Sequence, residues 1–153
     1  MFDKYTDKAR RVIYFARYEV SEFGAKSLDT EHLLLGLVRE DQALISRFLP
    51  AHVSEDDIRK QIQEHTGRRA RISTDIEVPL SDEAAKVLEY AAEESDELSH
   101  DYIGTEHLLL GLLRKRNSLA ERILREQGVD LSNVRKFAIN KLRECDPSGN
   151  ASA

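Results

Sequence analysis

Apolar residues recur along most of this chain at intervals of three and four, the period of a helix face, rather than in the alternation of a half-buried strand. Between Thr6 and about Gly24, residues Ala9, Val12, Ile13, Ala16, Val20 and Phe23 make one apolar stripe. Thr6 is suited to cap that helix and Gly24 to stop it. A second helix is predicted from Thr30. Leu33, Leu34, Leu35, Leu37 and Val38 leave it apolar nearly all round, so it should be the buried centre of its unit. A third spans about Gln42 to Leu49 and ends near Pro50. A fourth starts at Ser54, with Asp57 three residues on as a short capping box, runs through Ile58 and Ile62 and stops at Gly67. Residues 68–80 read as an extended link with weak alternation from Ile72 to Val78. The helical plan then returns: Ser81 to Leu98, Thr105 to about Arg116, Ser118 to Gln127, and Leu131 to Glu144. Residues 146–153, rich in Pro, Gly, Ser, Asn and Ala, are expected to be disordered.

The second half repeats the first. The block TEHLLLGL runs from Thr30 to Leu37 and again, unchanged, from Thr105 to Leu112, a shift of 75 residues. At the same shift Thr6 meets Ser81, Asp7 meets Asp82, Ala9 meets Ala84, Glu19 meets Glu94 and Arg39 meets Arg114. Beyond Leu49 and Leu124 the shift becomes 76, so that Val53 meets Val129, Ile58 meets Val134, Arg59 meets Arg135 and Lys60 meets Lys136. The added residue falls between two helices, where a longer loop costs little. An internal duplication of a four-helix unit follows.

The bulk numbers fit this organisation. At 153 residues the chain holds one domain or two small ones. A unit of about 65 residues buries little surface alone, so the two copies should pack together. Residues 1–145 are read as one domain, with repeat one at about 2–67, the link at 68–80 and repeat two at 81–145. Hydrophobic residues are 41% and charged residues 33%, the balance of a soluble, highly charged helical protein. The net charge of −5 gives no support to nucleic-acid binding, and no apolar run reaches membrane-spanning length. The single cysteine, Cys145, has no partner for an internal disulfide, which fits a reducing, cytoplasmic setting. No secretory signal pattern opens the chain. There is no G-x-x-x-x-G-K-[ST] loop, no nucleophile–base pairing and no cysteine or HExxH metal motif. The chain therefore reads as non-catalytic, with no metal and no cofactor.

Two four-helix repeats of this length, each carrying TEHLLLGL-R in its second helix, resemble the Clp amino-terminal domain. That is the double-repeat module at the front of the Clp unfoldases. The opening MFDKYTDKARRVIYFARYEV looks most like the ClpC branch. The likeness covers roughly residues 2 to 144 and departs at Asp29, where glycine is usual. It implies an all-α fold: two tandem four-helix repeats with approximate two-fold internal symmetry, packed as one globular unit. It implies a substrate- and adaptor-binding module whose partners are Clp ATPase or protease components, adaptor proteins, and client proteins or peptides. It also implies phosphoarginine recognition of the ClpC type, with Glu31 and Glu106 receiving the guanidinium. A free-standing accessory protein that docks on the Clp ring without reading clients is the alternative, and the sequence does not separate the two.

Read from the residues alone, Thr30 and Thr105 are natural helix caps. The glutamates after them then fall too early to close a capping box, so their carboxylates are expected to point outward. Each could complement the helix dipole or await a planar cation in bidentate geometry. A phosphate would need the helix starts at Thr6 and Ser81. Near Thr6 lie Lys8, Arg10 and Arg11. Near Ser81 lie Asp82 and Glu83, with Ala85 where the family's basic residue is expected, so at most one phosphoarginine site should be intact. Which glutamate faces which helix start is not fixed by the sequence. His32 and His107 read as packed, hydrogen-bonded side chains, and Gly36 and Gly111 as points of close helix approach. Arg114, Lys115 and Arg116 form a basic corner, Arg68, Arg69 and Arg71 a second, and Glu93, Glu94, Asp96, Glu97 and Asp101 an acidic patch. Each reads as solvated surface or as an adaptor contact.

Overall fold

Local capping starts the helices largely where the pattern predicts. Thr6 Oγ1 accepts the Ala9 N–H at 3.1 Å and opens α1 (Asp7–Phe23). Gly24, with φ of 62°, closes it in the left-handed region. Ser54 and Asp57 exchange the two bonds of a capping box at the head of α4 (Glu55–Thr66). Ser81 caps α5 (Asp82–Glu97) and Ser118 caps α7 (Leu119–Glu126). Between them lie α2 (Thr30–Glu40), the short α3 (Gln42–Ser46), α6 (Thr105–Arg114) and α8 (Leu131–Glu144). The computed structural model describes residues 3–67, 70–73 and 77–144. Among these, eight helices and no strand form. Arg68, Arg69, Cys145 and the tail expected to be disordered lie outside the described residues.

The TEH helices start one residue earlier than expected. Asp29 and Gly104 are the N-caps, which makes Thr30 and Thr105 the first helical residues. The histidines supply the reciprocal bond. His32 Nδ1 accepts the Asp29 N–H at 2.9 Å, and His107 Nδ1 accepts the Gly104 N–H at 2.9 Å. An imidazole nitrogen thus does what a Glu or Gln does in a capping box. Sequence reasoning preferred threonine because its capping propensity is high, and it overlooked histidine as an acceptor at the third helical position.

Helices α2 and α6 are the buried axes, with residues 31–38 buried in the first and Thr105–Leu113 in the second. Each crosses the first helix of its own repeat at a glycine. A Cβ on Gly36 would run into the Val12 carbonyl and stand 3.1 Å from Ala16 N; one on Gly111 would meet the Val87 carbonyl and stand 3.1 Å from Ala91 N. These are backbone atoms and cannot swing aside. Behind the crossings a charged clasp repeats. The carboxylate of Glu19, 1% exposed, is gripped by Nη1 and Nη2 of Arg59, and Glu94, equally buried, by Arg135 at 2.8 and 3.0 Å. This ties α4 to α1 and α8 to α5.

The two repeats share one core cluster running from Tyr5 to Ala138. They are joined by a reciprocal backbone exchange. Thr6 N–H donates to Ile103 C=O at 3.0 Å and Ile103 N–H to Lys4 C=O at 2.8 Å. Seventy-five residues out of phase, Ser81 N–H donates to Leu28 C=O and Leu28 N–H to Pro79 C=O, both at 2.9 Å. The segment leading into each repeat's first helix therefore pairs with the segment leading into the other repeat's TEH helix.

Gly36→Ala and Gly111→Ala are expected to destabilise the protein despite a gain in helix propensity of ~1 kcal/mol. Overpacking against fixed backbone costs about 1–3 kcal/mol, and the net loss should appear as a lower urea midpoint, larger still in the double variant. An unchanged midpoint would mean that the helix crossings are loose.

Candidate functional site

The backbone exchange settles which glutamate faces which helix start. Glu106 of repeat two stands at the Thr6 end of α1, and Glu31 of repeat one at the Ser81 end of α5. The threonines reinforce the crossing. Thr105 donates its hydroxyl to Asp41 Oδ2 at 2.7 Å, while Asp41 Oδ1 caps α3. Thr30 Oγ1 lies 3.4 Å from Ala120 N at the start of α7. The three motif residues thus divide the contacts. Thr reaches the other repeat, His caps its own helix, and Glu lies between them beside the other repeat's helix start.

Neither carboxylate points freely outward, contrary to expectation: Glu31 is 7% exposed and Glu106 only 1%. The shift of the cap to Asp29 and Gly104 rotates both glutamates inward by one helical position. Their surroundings then differ. Glu106 accepts from the Tyr102 hydroxyl at 3.1 Å and from Lys141 Nζ at 3.3 Å. Burial alone would raise its pKa. The charges of His107 and Lys141, its own backbone N–H and the Tyr102 hydroxyl outweigh burial, and the net direction is down. His107 is itself held neutral by burial to about pH 4, so near neutral pH Lys141 and Tyr102 are what keep Glu106 ionised.

Glu31 has no such partners. No ion pair reaches it among the described residues. Its pKa is pushed up to about 7, first by burial and then by the charges of Asp29 and Glu83, with only its own backbone and the Thr30 hydroxyl pulling the other way. It lines an open cavity of about 340 Å³ with Phe23, Asp29, His32 and His65.

The two helix starts differ as well. Thr6 Oγ1 caps α1 and donates to no acceptor among the described residues, and Lys8 Nζ lies 4.0 Å from Asp41 beside it. Arg10 sits on the exposed side of α1. Ser81, by contrast, donates its hydroxyl to Asp29 Oδ1 at 2.8 Å while accepting from Ala84 N at 3.0 Å. Both of its roles are filled, and one by an anion.

His100, Glu106 and His107 bring three potential metal-ligand atoms within 4.8 Å of one another. The protons argue against a metal. His107 Nδ1 accepts from Gly104 N, so its Nε2 carries the proton and donates to His100 Nδ1 at 2.7 Å. Ligation through Nε2 would require a fully deprotonated ring. The surface charge clusters are also largely consumed inside the protein. Arg114 binds Glu93 and Glu94, Lys115 lies 3.8 Å from Glu83, and Arg71 lies 2.7 Å from Glu22. Arg114 thus joins the basic corner to Glu93 and Glu94 of the acidic patch, whereas Asp96, Glu97 and Asp101 remain exposed.

Comparison with known proteins agrees with this fold. The chain matches the Clp repeat (R) N-terminal domain over residues 4–127 and 80–150. It belongs to the Clp N-terminal domain family. The negative regulator of genetic competence ClpC/MecB of Bacillus subtilis is 36% identical over 143 residues, 93% of this chain and 17% of that protein. The N-terminal domain of the chaperone ClpD from Arabidopsis thaliana superposes with a TM-score of 0.73 at 27% identity, covering 94% of this chain and 97% of that one. The ClpV N-domain solved with a VipB peptide shares the fold at a TM-score of 0.67 and 20% identity, over 90% and 87% of the two chains. The chain spans about one sixth of the length of the curated relatives it matches. No helix among the described residues is long and apolar enough to cross a membrane.

In this Clp N-terminal domain the two TEH ends carry opposite electrostatic signatures, and two substitutions expose them. A carboxyl whose folded pKa is raised from 4.5 to about 7 binds its proton more tightly folded than unfolded, so it costs stability as pH rises through that window. Glu31→Gln is expected to raise the unfolding free energy at pH 8 by an amount on the order of 1–3 kcal/mol, seen as a higher urea midpoint, and to change nothing at pH 4. Glu106→Gln removes a carboxylate stabilised by Lys141 and should destabilise at pH 7, the loss shrinking as pH falls through the lowered folded pKa. Equal pH responses of the two variants would refute the asymmetry.

Proposed function

We propose that this chain is the non-catalytic substrate- and adaptor-binding module of a Clp ATP-dependent unfoldase or protease system, and that the two TEH ends are its receptor sites. The observation carrying this reading is the placement of a buried carboxylate, twice, at the seam between repeats and within reach of solvent-facing helix starts. A structural role alone does not call for two carboxylates there. Glu31 raises the energy of its own folded state, the mark of a group kept for binding rather than for stability. Family membership supports the reading, as does the peptide bound by the ClpV N-domain of the same fold.

Phosphoarginine recognition is part of the proposal at one end only. A phosphoguanidinium needs a carboxylate for the guanidinium and donors or cations for the phosphate. The Thr6 end supplies the second requirement through the Thr6 hydroxyl, the α1 N-terminus and the nearby Lys8 and Arg10, with Glu106 as the carboxylate once Lys141 gives way. The Ser81 end does not, because its hydroxyl is spent on Asp29 and its first turn carries Asp82 and Glu83.

Calorimetric titration with phosphoarginine should therefore show no more than one site per chain, lost in Glu106→Ala and retained in Glu31→Ala. Two equal sites would refute this assignment. Absence of heat with phosphoarginine, together with tight association to an assembled Clp ring that survives Glu31→Ala/Glu106→Ala, would favour a docking role instead.

A further inference from the structure

The unpaired carboxylate of Glu31 has an answer inside the same molecule. At the offsets of the duplication, the residues that surround Glu106 have smaller or redirected counterparts around Glu31. Tyr102 corresponds to Ser27, His100 to Ala25 and Lys141 to His65. All three counterparts line the cavity in front of Glu31. His65 does not replace Lys141: its Nδ1 faces Gln61 C=O at 3.0 Å and its Nε2 lies 3.1 Å from Arg122 Nη1. Since a guanidinium can only donate, His65 Nε2 accepts from Arg122 and Nδ1 donates to the Gln61 carbonyl, so both ring nitrogens are already engaged. The cavity is the space that an ammonium, a phenol and an imidazole fill in the second repeat.

We propose that the cavity at Glu31 receives a cationic side chain, an unmodified arginine or lysine of a client or adaptor segment, in the position that Lys141 occupies at Glu106, and that it rejects phosphoarginine. This rests on the reading of the TEH ends as receptor sites and specifies one of them. Glu31 is more than nine-tenths buried and lines the cavity, yet no well-formed side-chain hydrogen bond or ion pair reaches it among the described residues. The charges that act on it are Asp29 and Glu83; the cations nearby are the exposed Lys26, Lys115 at 3.8 Å from Glu83 and Arg122 against His65, and none of them pairs with Glu31 among the described residues. A desolvated carboxylate with anionic neighbours gains most from a cation brought to it. Asp29 makes the choice against phosphate. Where repeat two has Gly104, repeat one has a carboxylate bound to the Ser81 hydroxyl, so an anion already stands on the donor that a phosphate would use. Phe23 forms an apolar wall along which the methylene stem of either side chain can lie.

The test titrates the whole chain, at pH 8 so that Glu31 is ionised, with a short alanine-rich peptide whose central residue is arginine, lysine, phosphoarginine or citrulline. Amide chemical shifts are followed. Arginine and lysine peptides should move signals of residues 25–32 and 65–66 and leave those around Glu106 still. Citrulline, which keeps the shape without the charge, and phosphoarginine should each bind about tenfold more weakly or worse at this site, as should every peptide to Glu31→Gln. Glu31→Gln is expected to be the more stable protein at this pH, so its loss of binding is not unfolding. Asp29→Gly should restore part of the phosphoarginine response. Phosphoarginine binding at Glu31 as tightly as arginine, or arginine binding unaffected by Glu31→Gln, overturns the inference. A parallel titration with a reduced, carboxymethylated protein as unfolded client separates the two readings. Binding of that client without any arginine response at Glu31 refutes the inference and keeps the receptor function, whereas no binding of client or peptide refutes both.

Discussion

The structure depends on the exchange of backbone hydrogen bonds between the segments that precede the helices. Thr6 and Ile103 pair on one side, and Leu28 and Ser81 on the other, through four bonds related by the internal two-fold. Without them, the peptide groups entering α1, α2, α5 and α6 would need other partners close to a buried core, where an unpaired N–H or C=O is costly. With them, neither repeat completes its own helix entrances: each supplies half of the other's. That is why the two copies form one core, and why the TEH ends lie at the seam and not on either repeat. A helix start contributed by one repeat is held beside a carboxylate contributed by the other, at a spacing fixed by backbone and not by flexible side chains.

Within that frame the TEH triplet divides its work by direction. On a helix, neighbouring residues point about a hundred degrees apart. Thr, Glu and His at successive positions therefore face the other repeat, the seam and the helix's own N-terminus. The histidine accepts a backbone N–H through Nδ1, which holds it neutral and orients its other nitrogen. Burial pushes both His32 and His107 down to about pH 4, and the caps survive wherever the rings stay uncharged.

Much of this was legible in the sequence because duplication doubles every signal. The eight helices, the Ser54–Asp57 capping box, the stop at Gly24 and the tight crossings at Gly36 and Gly111 follow from spacing and residue type alone. The orientation of the glutamates did not follow. Threonine's reputation as a cap displaced Asp29 and Gly104, and a one-residue error on a helix turns a side chain from seam to solvent. The partners of Glu106 escaped for a different reason. Lys141 lies 35 positions away on the last helix and carries no motif. The signal that could have found them was negative: the copies agree in TEHLLLGL and differ at Ser27/Tyr102 and His65/Lys141, and comparing what differs would have located the site.

That difference gives one duplicated motif two chemically different surroundings. The identical octapeptide fixes where the carboxylate stands; residues on other elements decide what it meets. In repeat two a lysine and a tyrosine satisfy it, leaving a cation-rich helix start at Thr6. In repeat one Ser27 and His65 stand in their places and a cavity opens, and Asp29 takes the Ser81 hydroxyl. A carboxylate stripped of its lysine but left beside a vacant anion site could be satisfied by any ligand that pairs a cation with an anion. With the protein's own aspartate on the Ser81 hydroxyl, only a cation complements this end. Asp29, which stands where repeat two has Gly104, is thus the residue by which the two ends of the seam become chemically distinct.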